Sequence, residues 1–111
     1  MPADAVVLVL TTWPAATDHA AFASALVEER LAACVNVMPE MDSIYRWQGR
    51  VERERERQVL IKTTVARLDA LERRIGELHP YEVPELLVLE VSTGGDAYLA
   101  WVRDSASPTL L

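Results

Sequence analysis

The sequence is poor in several features that mark specialised classes of protein. It contains one cysteine, Cys34, among 111 residues, which excludes an intrachain disulfide and is typical of a reducing compartment. Its apolar runs are far shorter than the ~20 residues that a membrane-spanning helix needs. Residues 1–4 also lack the basic stretch that opens a signal peptide. We therefore expect a cytoplasmic protein with no membrane partner.

Basic residues are in the minority as well. Eleven lysines and arginines face 17 aspartates and glutamates, and the net charge is −6. The arginines are dispersed along the chain or interleaved with glutamates, whereas nucleic-acid binding needs a concentrated basic patch. This distribution predicts that nucleic acid is not a partner.

Recognisable catalytic and metal-binding motifs are missing too. The chain has no nucleophile elbow, Walker loop or Gly-x-Gly-x-x-Gly turn. It has no Cys-x-x-Cys, His-x-x-x-His or His-Glu-x-x-His spacing, so nothing in the sequence indicates a preformed zinc site. We expect a protein that is not an enzyme.

The residues that are present predict an α+β fold. Half of the chain is hydrophobic, and its periodicity alternates between that of strands and that of helices. The predicted strands are 5–10, 34–38, 43–47, 51–64 and 85–92, and the predicted helices are 18–33, 65–78 and 96–103. We interpret the order as βαββαβ in one domain over 1–111, a ferredoxin-like two-layer sandwich with a long hairpin between its second and third strands and a short C-terminal helix.

Residues 50–57 alternate arginine with glutamate, apart from Val51. A helix would place like charges four residues apart, whereas a strand separates the two signs onto opposite faces, which favours the strand. Such a long projecting hairpin exposes strand edges that have to be covered, charged or paired with another chain. We therefore expect a closed homo-oligomer built through this hairpin.

His79 is the candidate metal ligand. It lies where a helix meets a loop interrupted by proline, and it is followed by Tyr81, Glu82 and Glu85. Imidazole is a preferred ligand of copper and zinc. The alternative is a structural histidine that interacts with the last carbonyls of the helix.

Four further residues are candidates for ligand binding, and each of them also has a purely structural interpretation. Cys34 opens a predicted strand and is expected to serve in packing, although a thiolate also suits copper. Lys62, the single lysine, either points outward from its strand or binds an anionic ligand. Trp47 and Tyr81 either line a cleft or lie in the core or a subunit interface.

Four segments in order resemble the CutA family, the divalent-cation tolerance proteins. They are Leu-Ala-Ala-Cys-Val-Asn-Val from residue 31, Ile-Tyr-Arg-Trp-Gln-Gly from 44, Ile-Lys-Thr-Thr from 61 and His-Pro-Tyr-Glu-Val-Pro-Glu-Leu-Leu-Val-Leu from 79. The resemblance covers about residues 6–102. It implies a ferredoxin-like fold, a tight homotrimer with strands paired between subunits, and a cytoplasmic location.

The resemblance also implies a function. The family is associated with copper tolerance, and the copper ligands proposed for its enterobacterial members are a cysteine and two consecutive histidines. Thr11 and Leu78 stand at the first two of these positions and His79 at the third. We therefore expect a trimeric, non-enzymatic protein that binds copper or another divalent metal weakly at His79.

The alternative is a sensor like the PII signalling proteins, whose trimer is similar. Such a sensor takes a small anionic ligand in a cleft between subunits. Its candidate cleft residues are Cys34, Trp47, Lys62, Tyr81 and Glu85.

Overall fold

The computed structural model describes residues 1–108 and contains four strands and three helices. The strands are β1 (Val6–Pro14), β2 (Cys34–Trp47), β3 (Arg50–Thr64) and β4 (Leu87–Glu90). The helices are α1 (Ala20–Glu28), α2 (Leu68–Leu78) and α3 (Asp96–Ser105). The predicted domain 1–111 includes residues 109–111, which lie outside the described part.

The strands form one sheet in the order β2-β3-β1-β4, and each neighbouring pair is antiparallel. Strands β1 and β2 are therefore parallel, and helix α1 connects them across β3. This order confirms the predicted α+β ferredoxin-like βαββαβ fold with a terminal helix. No helix within residues 1–108 is long and apolar enough to span a membrane.

Alternation along β1 divides its residues between the two faces of the sheet. Val7 and Val9 are fully buried and belong to the main core, together with residues of α1 and α2 such as Leu26 and Ile75. Val6 precedes Val7 and therefore points to the opposite face of the sheet, where it packs with Val102 of α3. Helix α3 therefore lies on the face opposite to α1 and α2.

The β2–β3 hairpin is the long feature that the sequence predicts. Its strands contain 14 and 15 residues, and the chain extends 47 Å along its longest axis. Gln48 and Gly49 both have positive φ, at 49° and 78°, as a tight hairpin turn requires. Strand β1 ends at Pro14, opposite Glu56, so the outer part of β3 pairs with β2 alone.

The extent of β2 and the end of α1 differ from the prediction. The predicted strands 34–38 and 43–47 are one continuous strand, β2, with a register shift between Val37 and Glu40, where Pro39 cannot donate to the ladder. The predicted helix 18–33 ends at Glu28 because Arg30 adopts φ 60° and reverses the chain.

The remaining elements differ from the prediction at their ends. Strand β4 contains four residues instead of the predicted 85–92. Helix α2 starts at Leu68, after a turn of 3₁₀ helix over Val65–Arg67.

Candidate functional site

A cleft of about 800 Å³ lies between one face of the β2–β3 hairpin and the loop that follows α2. Strand β2 contributes Tyr45 and Trp47 to its wall, and β3 contributes Glu56. The loop, which contains two prolines, contributes residues 80–85. Aromatic rings and carboxylates thus share one concave surface.

Glu56 is a buried acid in this cleft, with 6% of its surface exposed. The hydroxyl of Tyr81 donates a hydrogen bond of 2.9 Å to its Oε2 atom. Strand alternation places Glu56 on the face opposite to Arg55 and Arg57. No basic side chain of the described part of the chain forms an ion pair with it.

A second carboxylate is held at the cleft by an amide. Gln58 donates through Nε2 to Oε2 of Glu85, at 2.9 Å, and to the backbone oxygen of Thr11, at 2.8 Å. One side chain of β3 therefore ties the loop to β1 and fixes the position of Glu85.

The pKa values of the cleft tyrosines reflect this acidic setting. Desolvation, the hydrogen bond to Glu56 and its charge raise the pKa of Tyr81 above its usual value. Desolvation, followed by the charges of Glu54, Glu56 and Glu52, raises the pKa of Tyr45. Among the described residues that line the cleft none is basic, so the surface disfavours an anionic ligand.

His79, the predicted metal ligand, lies beside this cleft but is buried, with 7% exposure. Its Nδ1 atom accepts a hydrogen bond of 3.0 Å from the backbone N–H of Tyr81, so the ring proton lies on Nε2, which donates to the carbonyl of Thr12 at 2.6 Å. Its ring packs edge-on against Trp13 and Phe22, with centroid distances of 5.0 and 6.3 Å. Both ring nitrogens are occupied by protein groups.

The neighbouring residues do not complete a preformed metal site. Thr11 is fully buried, and its hydroxyl donates to the backbone oxygen of Thr12 at 3.5 Å. Leu78 packs against the main core and offers no donor atom. In residues 1–108 no three histidine, cysteine, aspartate or glutamate side chains are grouped so that they could hold a metal ion.

The five predicted cleft residues are divided into two groups within one chain. Trp47, Tyr81 and Glu85 line the cleft. Cys34 and Lys62 are cross-strand partners at the other end of the sheet, six residues along β3 from Glu56 or about 20 Å at ~3.3 Å per residue. There the Nζ of Lys62 lies 3.2 Å from the hydroxyl of Tyr98, and Cys34 Sγ lies 3.6 Å from Asn36 Oδ1.

Glu56 and Gln58 were not among the residues predicted for the site. Both lie in the long strand β3, and Glu56 is one of several glutamates in an alternating run. The distinguishing signal is position, because Glu56 is the glutamate of this run that lies opposite the end of β1 and enters the sheet. Its neighbours toward the turn remain in the two-stranded part of the hairpin.

Comparison with known proteins identifies the family. The family model described as "CutA1 divalent ion tolerance protein" matches residues 7–105. The chain belongs to the CutA family. The resemblance found in the sequence is thereby confirmed, as is membership of a family of divalent-cation tolerance proteins.

CutA proteins of several bacteria are close relatives. The divalent-cation tolerance protein CutA of Thermus thermophilus is 47% identical over 98 residues, which cover 88% of this chain and 95% of the relative. The protein of the same name from Pectobacterium atrosepticum is 44% identical over 102 residues, or 92% of each chain. The crystal structure of CutA from Xylella fastidiosa matches with a TM-score of 0.87 at 40% identity, covering 92% of this chain and 98% of that one.

Proposed function

We propose that this CutA-family chain is a cytoplasmic, non-enzymatic homotrimer that forms one domain and binds a divalent cation, copper among them, weakly at His79. The observation that carries the metal assignment is the position of an imidazole beside a cleft with oxygen donors. Tyr81 and Glu56 supply a phenol and a carboxylate there. The net charge of −6 favours the approach of cations over anions.

The weakness of this binding follows from the hydrogen bonds of His79. A metal ion at Nδ1 has to displace the N–H of Tyr81, and one at Nε2 has to displace both the ring proton and the contact to Thr12. The described residues do not fit a tight, preformed site. The metal therefore binds only when the ring exchanges one of these partners, which lowers the affinity.

The trimer is supported by apolar surface on three strands that the single chain leaves uncovered. Strand β4 is an edge strand, and its residues Leu87, Val88 and Leu89 are 53%, 36% and 47% exposed. At the outer part of the hairpin, Ile44 and Val51 are 71% and 67% exposed. An exposed apolar edge and a two-stranded ribbon are both stabilised by pairing with further chains.

Calorimetric titration of copper(II) and zinc into metal-free protein tests the metal site. We compare the wild type with His79→Gln, and with His19→Gln because His19 is the only other histidine. The proposal predicts weak saturable binding that His79→Gln abolishes and His19→Gln preserves. Equal binding by all three proteins, or loss only in His19→Gln, contradicts it. Thermal unfolding of each variant shows that the buried substitution has left the protein folded.

Sedimentation equilibrium at micromolar concentration tests the assembly. The proposal predicts a mass of three chains, and Leu89→Arg on β4 is expected to lower it by placing a charge in an apolar contact. A wild-type mass of one chain contradicts the proposal.

A further inference from the structure

We propose that the cleft between the hairpin and the loop after α2 binds an organic cation, an alkylammonium or guanidinium group, at Glu56 and beside the ring of Tyr81, with Tyr45 and Trp47 further along the same wall. This site does not use His79, although Glu56 and Tyr81 are also the oxygen donors nearest to the metal ligand proposed there. Its chemistry is that of a charged organic group, which a carboxylate and aromatic faces recognise together.

The first support is the electrostatic state of Glu56. The side chain is 6% exposed, and Tyr81 provides its hydrogen bond. Burial of a carboxylate is unfavourable unless the charge is paired, and a single neutral donor compensates only part of the lost hydration. None of the basic side chains in residues 1–108 supplies the counter-charge. A cation in the cleft supplies it.

The second support is the aromatic wall. Tyr45, Trp47 and Tyr81 all line the cleft, and Trp47 is 47% exposed although it is large and apolar. The negative faces of such rings attract ammonium and guanidinium groups, most strongly where water is partly excluded. The faces of these rings, in contrast to the hydroxyl of Tyr81, offer no ligand atom to a bare divalent metal.

The third support is that the second carboxylate of the cleft, Glu85, is held in place by Gln58. Glu85 is fixed by the amide of Gln58 at 2.9 Å, and no three acids or histidines in the described chain are grouped closely enough to chelate a metal. Separate carboxylates in a cleft of about 800 Å³ suit a group with several N–H donors. They suit a small metal ion less well, because it needs its ligands together.

The cation has two possible sources that share this chemistry. It is either a free organic cation or a basic side chain of a neighbouring copy of the chain. The experiment distinguishes them because a free cation can be titrated, whereas a neighbouring side chain affects assembly.

The test is calorimetric titration of n-butylguanidinium and n-butylammonium, with n-butanol as the neutral probe and butyrate as the anionic probe. The proteins are the wild type, Glu56→Gln and the matched control Glu54→Gln. Glu54 lies on the same face of the same strand but does not line the cleft. Sedimentation equilibrium is measured on the same three proteins.

For a free cation, we expect saturable binding of both cationic probes and no binding of butanol or butyrate. Glu56→Gln should weaken the binding about tenfold or more, as loss of a charge-assisted hydrogen bond does. Glu54→Gln should change it by about twofold or less, since exposed charges contribute little.

For a side chain of a neighbouring copy, we expect no binding of the free cations and an assembly that Glu56→Gln weakens about tenfold or more while Glu54→Gln leaves it unchanged. Two results overturn the proposal. One is butyrate binding as tight as that of the cations. The other is an absence of cation binding together with equal assembly of Glu56→Gln and Glu54→Gln. Neither result depends on His79, so the proposed metal site can fail or succeed separately.

Discussion

The two faces of the β2–β3 hairpin carry opposite charges on β3, and they differ in whether those charges form ion pairs with β2. On one face, Arg53 and Arg55 bind Asp42 at 3.1 and 3.0 Å, and Arg55 also binds Glu40 at 3.2 Å. Arg57 lies 3.5 Å from the same Glu40. The basic face is thus neutralised by acids of the neighbouring strand.

The acidic face has no such neutralisation within the chain. Glu52, Glu54 and Glu56 alternate with the arginines and form no ion pair among residues 1–108. Their cross-strand partners are Tyr45, Ser43 and Met41. This comparison shows that alternation of charge along a strand does not make its two faces equivalent, because the adjacent strand provides acids to one face only. The face whose glutamates form no ion pair in the described chain is where we expect a cationic partner.

The largest expected effect on stability comes from removal of the hydroxyl that binds Glu56. Tyr81→Phe leaves this buried carboxylate without its hydrogen bond, and we expect a loss of about 1–2 kcal/mol in the free energy of unfolding. Tyr45→Phe is the control, because the Tyr45 hydroxyl has no hydrogen bond within the described chain, and we expect a change of about 0.5 kcal/mol or less. Urea unfolding at pH 7 measures both. Equal effects would show that the Tyr81–Glu56 contact contributes nothing.

Alkaline pH should weaken the same contact. Burial and Glu56 raise the pKa of Tyr81 above the ordinary value of 10.0, so the folded state retains a phenolic proton that the unfolded state releases. The resulting stability is complete below pH 10.0 and is lost as the pH rises toward the folded pKa.

The measurement is the urea midpoint between pH 8 and pH 11 for the wild type and Tyr81→Phe. The wild type is expected to lose stability more steeply above pH 10.0 than the variant does. Parallel curves for the two proteins would contradict the assignment.

Low pH should weaken the ion pairs on the basic face of the hairpin, and we expect a smaller loss of stability than at alkaline pH. Hydrogen bonds from Arg55 and Arg53 lower the pKa of Asp42 below its ordinary 3.8. A lowered folded pKa gives stability that is present above pH 3.8 and is lost as the pH falls through the folded value.

We expect Asp42→Asn to lower the melting temperature slightly at pH 7 and to differ less from the wild type at pH 2 or in molar salt, which screens exposed pairs. Thermal unfolding under the three conditions checks this expectation. A difference that salt and acid leave unchanged would contradict an electrostatic origin.

The fold could be predicted from local patterns, because each pattern is set by nearby residues. Alternating charges in residues 50–57 predicted a strand, and β3 contains them. The tight turn at Gln48 and Gly49 and the register shift next to Pro39 also agree with the local residue types. The end of α1 was missed because the left-handed conformation of Arg30 depends on contacts with distant parts of the chain, such as the bond from Arg67 Nε to its carbonyl oxygen.

The site was less predictable because it depends on where strands end relative to one another. His79, Tyr81 and Glu85 belong to one sequence motif, and the structure places all three at or beside the cleft. Glu56 gave no such signal, since its burial depends on where β1 ends opposite β3. Lys62 lies at the other end of β3 from this cleft within one chain, and its contribution to a cleft between subunits stays a prediction.

A crystal structure of the assembled protein grown with n-butylguanidinium shows what occupies the cleft at Glu56. We predict a cationic group on the carboxylate of Glu56 beside the ring of Tyr81, supplied by the added ligand or by a basic side chain of a neighbouring copy. A cleft filled by an apolar side chain, with Glu56 facing no positive charge, would contradict it.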